Sequence, residues 1–508
     1  MQTQKSKRFA AWLYACIVSD KFFYGMLTFF VVSSVWIAVS SLYPMAFDEE
    51  FHFGLIKLYA QGWSPFSVVQ TPQLDVYGSV VTDPSYLYHY LMSFPYRLLH
   101  AFIDSQSAII IILRLMNVAF FGLGIYLFRK VLREIKLSPA ITHTVLAIFV
   151  LIPVVPLLAG QINYDNLLMP IIATVFLLTI RIRNALKTEH RMPIQNMLWL
   201  GLLFLVGSIV KYAFLPIALG VFVYITYLVI STGRKRNMLL TQGLKDMESL
   251  SLRMQWLFGL LFVGAILLFS QRYVLNIVNY HNIIPDCDAV VSEERCLAYG
   301  PYSRDHGYAL TKNNAHVEGP VGYTVRYWSW GMWQRLFFTL AGPTNNYATE
   351  RPLPIPALTA IVLVVVGALL LVVYGRQILR DYPVFIVFIL ATVIYVGALW
   401  LQEYKSYVDT AQPVAINGRY LLPLLPVLGA LFALAYARAF RAIRNANIGA
   451  AFVVLVFLLL LQGGGPITYI VRSHPEWFWH DSFVQDANRT LQSALKPVIY
   501  ENYFLGRE

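Results

Sequence analysis

Apolar runs of bilayer length recur along the whole chain, and they constrain its fold more than any motif does. They lie at 22–42, 106–127, 141–159, 163–180, 197–211, 213–231, 255–275, 355–374, 383–401, 420–437 and 449–469. About 20 apolar residues, rising 1.5 Å each in a helix, match the hydrocarbon core of a membrane. Backbone polar groups in that core must be satisfied within the segment, which selects helices. The sequence therefore predicts an all-α polytopic membrane protein of about 11 transmembrane helices. Composition agrees, with 58% of 508 residues hydrophobic and 13% charged, a balance that a soluble globule with a polar shell does not reach.

The stretch 197–231 is interrupted by Lys211 and Pro216, too long for one crossing and short for two, and is read as two helices meeting at a tight turn. With the N-terminus inside, the short cytoplasmic loops then carry Lys5, Lys7 and Arg8; Arg129, Lys130, Arg133 and Lys136; Arg181, Arg183, Lys187 and Arg191; Arg234, Lys235 and Arg236; Arg376 and Arg380; and Arg438, Arg441 and Arg444. That is the positive-inside pattern. A single helix over 197–231 would turn every cluster from Arg234 onward outward. The net charge of +12 thus reports topology and not nucleic-acid binding, because the cations lie in clusters between apolar runs. The run 22–42 has no small-residue cleavage site after it and reads as a retained anchor.

Three segments fall outside: loops at about 43–105 and 276–354, and a tail from about 470, which together hold most of the carboxylates. Within the loops, 86–100 and 323–340 are aromatic and amphipathic, suited to helices lying in the interface. Such aromatics usually anchor a protein in the membrane. Tyr88, Trp328 and Trp330 are nonetheless candidates for acceptor or sugar contacts. Cys287 and Cys296 sit close together in the second loop, as a disulfide or as two loop thiols, whereas Cys16 stands alone. No internal repeat is visible, which gives an inverted-repeat transporter no support.

Three clusters could carry chemistry. Asp48, Glu49, Glu50 and His52 follow the first span; on a helix Asp48 and His52 share a face, offering a general base and metal ligands, against the plainer reading of a solvated acidic segment. Asp165, between Asn163 and Asn166 at the mouth of the fourth span, is costly near hydrocarbon unless hydrated, paired or coordinating. Lys211 could bind an anionic phosphate, and Arg114, within the second span, suits a structural partner for a carboxylate. In Asn417-Gly418-Arg419-Tyr420 the arginine fork suits phosphate oxygens, and the glycine permits close backbone approach to a ligand.

In this order the motifs FDEEFH, TDPSYLYHYLMSFPYRLL, Arg114, INYDN, SIVKYAFLP and NGRYLLPLLP resemble those of the GT-C superfamily of membrane glycosyltransferases, which use polyprenyl-phosphate sugars. Within it the chain is most similar to a bacterial family of membrane proteins with DE-x-x-H and GRY-x-x-P motifs. The resemblance covers about residues 30–440; Asp83-Pro84-Ser85 departs from the usual His-Pro-Pro, and the tail beyond 470 lies outside it. It implies a catalytic module over 1–440, followed by the last helix and an external tail over 441–508. It also implies Asp48 as general base with Glu49 in support; His52 and Asp165 as supporting or metal-binding residues; and Arg419 and Lys211 on the donor phosphate. The expected partners are a polyprenyl-phosphate-linked sugar, a glycan, lipid or protein acceptor, and membrane lipids. The expected cofactor is at most a divalent cation, Mg or Mn, and the expected location is a bacterial inner membrane with the site facing outward. A lipid-linked glycan ligase shares this donor chemistry, and a lipid or sugar flippase is the rival from another class.

Overall fold

The computed structural model describes residues 2–45, 48–231, 241, 243, 245, 251–312, 315–337, 355–443 and 445–499, with backbone only at 2–7 and 472. Arg234, Lys235, Arg236, Arg444 and the part of the second loop at 338–354 lie outside them. Among the described residues every regular element is a helix, and the antiparallel bridge between Ser41 and Phe478 is isolated. In chain order, the first half holds α1 (Gln2–Val18), α2 (Asp20–Ser40), α3 (Glu49–Tyr59), α4 (Leu87–His100), α5 (Gln106–Glu134), α6 (Pro139–Val150), α7 (Val154–Ala159), α8 (Tyr164–Asn184), α9 (Ile194–Val210) and α10 (Leu215–Ser231). The second half holds α11 (Leu252–Ser270), α12 (Ser329–Phe337), α13 (Ile355–Asp381), α14 (Phe385–Thr410), α15 (Leu425–Ile443), α16 (Ala446–Leu460), α17 (Ile467–Arg472) and α18 (Ser482–Leu495).

Eight helical spans are long and apolar enough to cross a membrane, namely α2, α5, α8 continued to Glu189, α10 with the turn from Tyr212, α11 continued to Tyr280, α13, α14 and α15, so the chain is a polytopic membrane protein. The other three expected crossings, at 141–159, 197–211 and 449–469, contain shorter apolar helices. Two are interrupted. Pro153 lies between α6 and α7, and Gly463 and Gly465, both at positive φ, separate α16 from α17. The two breaks meet: Gly465 N donates to the Leu151 carbonyl at 2.7 Å, satisfying a backbone group that the end of α6 leaves open. The third, α9, ends at Lys211, beyond which a 3-10 turn leads into α10.

The basic clusters gather at one end. Arg129 pairs with Asp20, His143 Nδ1 meets the Ile17 carbonyl at 2.7 Å, Lys187 Nζ donates to Ser231 Oγ at 2.7 Å, and Arg438 pairs with Asp381. The first loop builds the opposite end. There α4, the expected interfacial segment, packs on α3, and Arg97 donates to the carbonyls of Tyr59, Ala60 and Gly62 that close α3. Its outer side exposes Leu91, Phe94 and Leu98. Cys287 and Cys296 form a disulfide, and next to it Arg295 holds Asp75 of the first loop with two contacts of 2.7 Å.

Candidate functional site

A left-handed residue opens α3. Asp48 lies at φ 67°, a conformation Asp tolerates better than most side chains, and the helix begins at Glu49. The turn sends the two carboxylates apart. Glu49 is fully buried and receives Arg114 Nε and Nη2 at 2.8 and 2.7 Å, Met45 N at 2.7 Å and Ile162 N at 3.1 Å. Arg114 also donates to the carbonyls of Ala38, Ser41 and Leu42 at the end of α2. Every lone-pair direction of Glu49 is thus engaged. Glu49, expected in support of Asp48, is engaged by Arg114 and anchors the motif from beneath.

Around Asn117 of α5 a second polar knot forms. Its Oδ1 accepts from Tyr88 Oη at 2.8 Å and Asn166 Nδ2 at 3.1 Å, while its Nδ2 donates to the Leu113 carbonyl at 2.9 Å. Tyr88, expected on a sugar, is therefore a buried strut with its hydroxyl consumed inside the protein. The knot fixes the start of α8, where Asn163 Oδ1 accepts from Asp165 N at 2.9 Å. Asp165 is the product of that geometry.

Asp165 then meets two cations. Its Oδ1 lies 2.5 Å from Lys211 Nζ and its Oδ2 3.9 Å from Arg419 Nε, while Arg419 Nη2 reaches Asp48 Oδ2 at 3.0 Å. Lys211 Nζ also lies over the Tyr164 and Tyr420 rings, 4.5 and 4.7 Å from their centroids. Four residues distant in sequence thus form one chain of alternating charge that sums to zero. Exposure separates them: the Asp48 side chain is 65% exposed, against 9% for Asp165 and 4% each for Lys211 and Arg419. Lys211, expected on the donor phosphate, instead neutralises Asp165 beneath two aromatic rings. Gly418 admits a close approach, but to protein: a Cβ there would strike the Met332 carbonyl and Leu336 of α12.

His52 stands apart from Asp48. Its Nδ1 lies 2.8 Å from Nε2 of His89, a residue sequence reasoning missed, and the rings stack at 5.1 Å with Tyr164 edge-on at 4.5 Å. Burial pushes the His52 imidazole well below its ordinary value, with His89, Arg419 and Lys211 adding to the effect, and burial brings His89 down to about 3. The pair is neutral and shares one hydrogen bond, so His52 Nδ1 is committed to His89 and not to Asp48.

These residues fit a divalent cation poorly. Asp48 and Asp165 are turned to Arg419 and Lys211, His52 Nδ1 is turned to His89, and among the described residues no three His, Cys, Asp or Glu side chains converge. Trp328 is half-buried and donates from Nε1 to Glu403 Oε2; Trp330 is 38% exposed. Behind the Gly418 turn, an apolar groove of about 1500 Å³ runs between α1, α6, α12, α13, α15 and α16, from Met332 and Leu421 near the cluster to Tyr14 and Arg441 at the basic end. Compared with protein-family models, curated proteins and solved structures, the chain shows no match.

Proposed function

We propose that the chain is an inverting glycosyltransferase, moving a sugar from a polyprenyl-phosphate donor to a cell-envelope glycan, lipid or protein acceptor at the external face of a bacterial inner membrane. The observation that carries this reading is the convergence of Asp48, Asp165, Lys211 and Arg419 into one neutral chain of charge whose solvent-facing member is Asp48. An arriving phosphate competes with Asp48 for Arg419, a planar fork suited to phosphate oxygens. Its arrival frees the Asp48 carboxylate beside the acceptor. Asp48 then takes the proton of the acceptor hydroxyl as the acceptor oxygen bonds to the anomeric carbon, and the bond from that carbon to the phosphate breaks with its electron pair leaving on the phosphate. A single displacement of this kind inverts the anomeric carbon. Asp165 and Lys211 hold Arg419 in place.

Two further features support a lipid-linked donor. The apolar groove ends behind the Gly418 turn, where a polyprenyl tail would meet its phosphate. The exposed Leu91, Phe94 and Leu98 of α4 suit a helix resting on lipid at the same end of the molecule as Asp48. The proposal includes eleven crossings with the N-terminus inside, the three shorter helices completing the eight long ones.

A lipid-linked glycan ligase fits the same donor site. A flippase draws on one specific observation, the paired helix breaks at Leu151 and Gly465. Those breaks carry no acid or base among residues 150–153 and 461–466, so they offer no titratable group for proton-coupled transport. The test is a transfer assay on purified protein in nanodiscs, with a panel of radiolabelled polyprenyl-phosphate sugars and a membrane extract as acceptor. Label moving with wild type and not with Asp48→Asn supports the transferase. Neither transfer nor donor hydrolysis from any member of the panel would sink it.

A further inference from the structure

We propose that the seam between Trp328 and Glu403 binds the acceptor, and that it takes a pyranose ring of a glycan whose hydroxyls are received by Glu403; this rests on the transferase reading. On α14, Trp400, Glu403, Tyr404 and Tyr407 follow the i, i+3, i+4, i+7 spacing of a single helix face. Tyr323 and Trp328 close over that face. The Tyr323 ring lies 4.8 Å from Tyr407 and 5.2 Å from Tyr404, and Trp400 stacks on Tyr404 at 5.0 Å.

Two buried polar atoms stand in this aromatic wall without hydrogen-bond partners among the described residues: Glu403 Oε1 and the Tyr323 hydroxyl. Glu403 is 5% exposed, and its other oxygen accepts from Trp328 Nε1. An unsatisfied buried polar atom costs about 1–3 kcal/mol, more for a charged group, so a ligand that satisfies both is favoured. A pyranose presents hydroxyls at its rim and an apolar C–H face to aromatic rings, and the seam offers an acceptor, a hydroxyl and flat rings. A quaternary ammonium group would use the rings and the carboxylate but donates no hydrogen bond to Glu403 Oε1 and accepts none from the Tyr323 hydroxyl. The backbone at Thr324–Trp328 is a π-helical turn, a form frequent at functional sites, and it carries Trp328.

The seam is joined to the charged cluster. Gln402, next to Glu403, donates to the Tyr212 hydroxyl at 3.4 Å, and Tyr395 Oη donates to the Tyr420 carbonyl at 3.0 Å. Eight residues of helix from Tyr395 to Glu403 rise about 12 Å. An oligosaccharide with its reacting hydroxyl at Asp48 reaches the seam with a ring further along its chain.

The test uses full-length protein in nanodiscs, with saturation-transfer NMR to chitobiose, mannobiose and maltotriose, and choline as the competing cation. Wild type and Asp48→Asn are expected to bind one of the saccharides alike. Glu403→Gln should weaken that binding at least tenfold, and Trp328→Phe, which keeps a ring and removes the N–H, several-fold; the second variant decides if the first does not fold. In the transfer assay Glu403→Gln should raise the acceptor KM and leave kcat near wild type. No saccharide signal from wild type, choline displacing the saccharide, or wild-type binding by both variants would overturn the proposal. Saccharide binding lost in Glu403→Gln, with no transfer from any donor, would leave the site standing and sink the transferase; transfer with an unchanged acceptor KM in Glu403→Gln would sink the site alone.

Discussion

The left-handed backbone at Asp48 gives two adjacent carboxylates opposite environments, and their substitutions should separate accordingly. Asp48→Asn keeps the shape and an Arg419 contact while removing the base; transfer should fall by about 10²–10⁴ with an unchanged thermal midpoint, because the side chain is mostly exposed. Glu49→Gln leaves the Arg114 guanidinium buried and uncompensated, and should cost about 3–5 kcal/mol in denaturant or thermal unfolding. Loss of transfer in Glu49→Gln with full stability would reverse the two roles. The histidine pair gives a pH signature. His52 and His89 are neutral in the folded protein and ionise when it unfolds, so below about pH 6.5 the unfolded chain binds more protons. Stability should therefore fall as pH drops from about 6.5 toward 3, by up to about 1.4 kcal/mol per pH unit for each ring. Melting curves of His89→Phe across pH 5–8 should show a shallower fall than wild type; an identical slope would remove the pair from the explanation. Asp48 and Arg419 were legible because acid and arginine stand in recognisable motifs. That Arg114 partners a carboxylate was legible as well, but not that the carboxylate is Glu49, 65 positions away, nor that His52 pairs with His89, 37 away, because helix spacing alone does not say which face packs on what.

At the scale of elements, hydropathy located eight crossings because a run of about 20 apolar residues has few other solutions. It missed α1, whose sequence mixes cations with aromatics, and it read through the breaks in α6–α7 and α16–α17, because Pro and Gly leave mean hydropathy high while ending the helix. The breaks are specific packing sites. A Cβ on Gly464 would meet the carbonyls of both Leu460 and Leu151, backbone atoms with little room to retreat. Gly464→Ala should thus cost about 1–3 kcal/mol, read as a lowered thermal midpoint. Gly259→Ala, at a position with open space around it, should be neutral or stabilising in the same measurement. Equal midpoints for the two variants would mean that the breaks do not pack through this glycine.

The whole molecule is tied at its ends in a way that bears on topology without any hydropathy scale. Residues 40–42 leave α2 at the end away from the Asp20–Arg129 pair, and there they meet the tail: Leu42 N donates to the Trp477 carbonyl at 2.8 Å, Trp479 N donates to the Ser40 carbonyl at 3.0 Å, and Tyr469 Oη contacts Ser41 Oγ at 2.6 Å. A chain that enters α2 at one end and docks its tail at the other is what the proposed topology, with its odd number of crossings, requires. One helix over 197–231 would make the count even, so Lys211, which both ends α9 and joins the charged cluster, is also where the parity is decided. Single cysteines in a background without Cys16 test this with a membrane-impermeant maleimide on intact cells. Trp63→Cys and Val498→Cys, at positions 78% and 71% exposed, should both label, while Lys187→Cys should label only after the membrane is opened. Protection of position 498 with labelling of position 63 would put the tail and the first loop on opposite sides, and the contacts between them could not then form in a membrane.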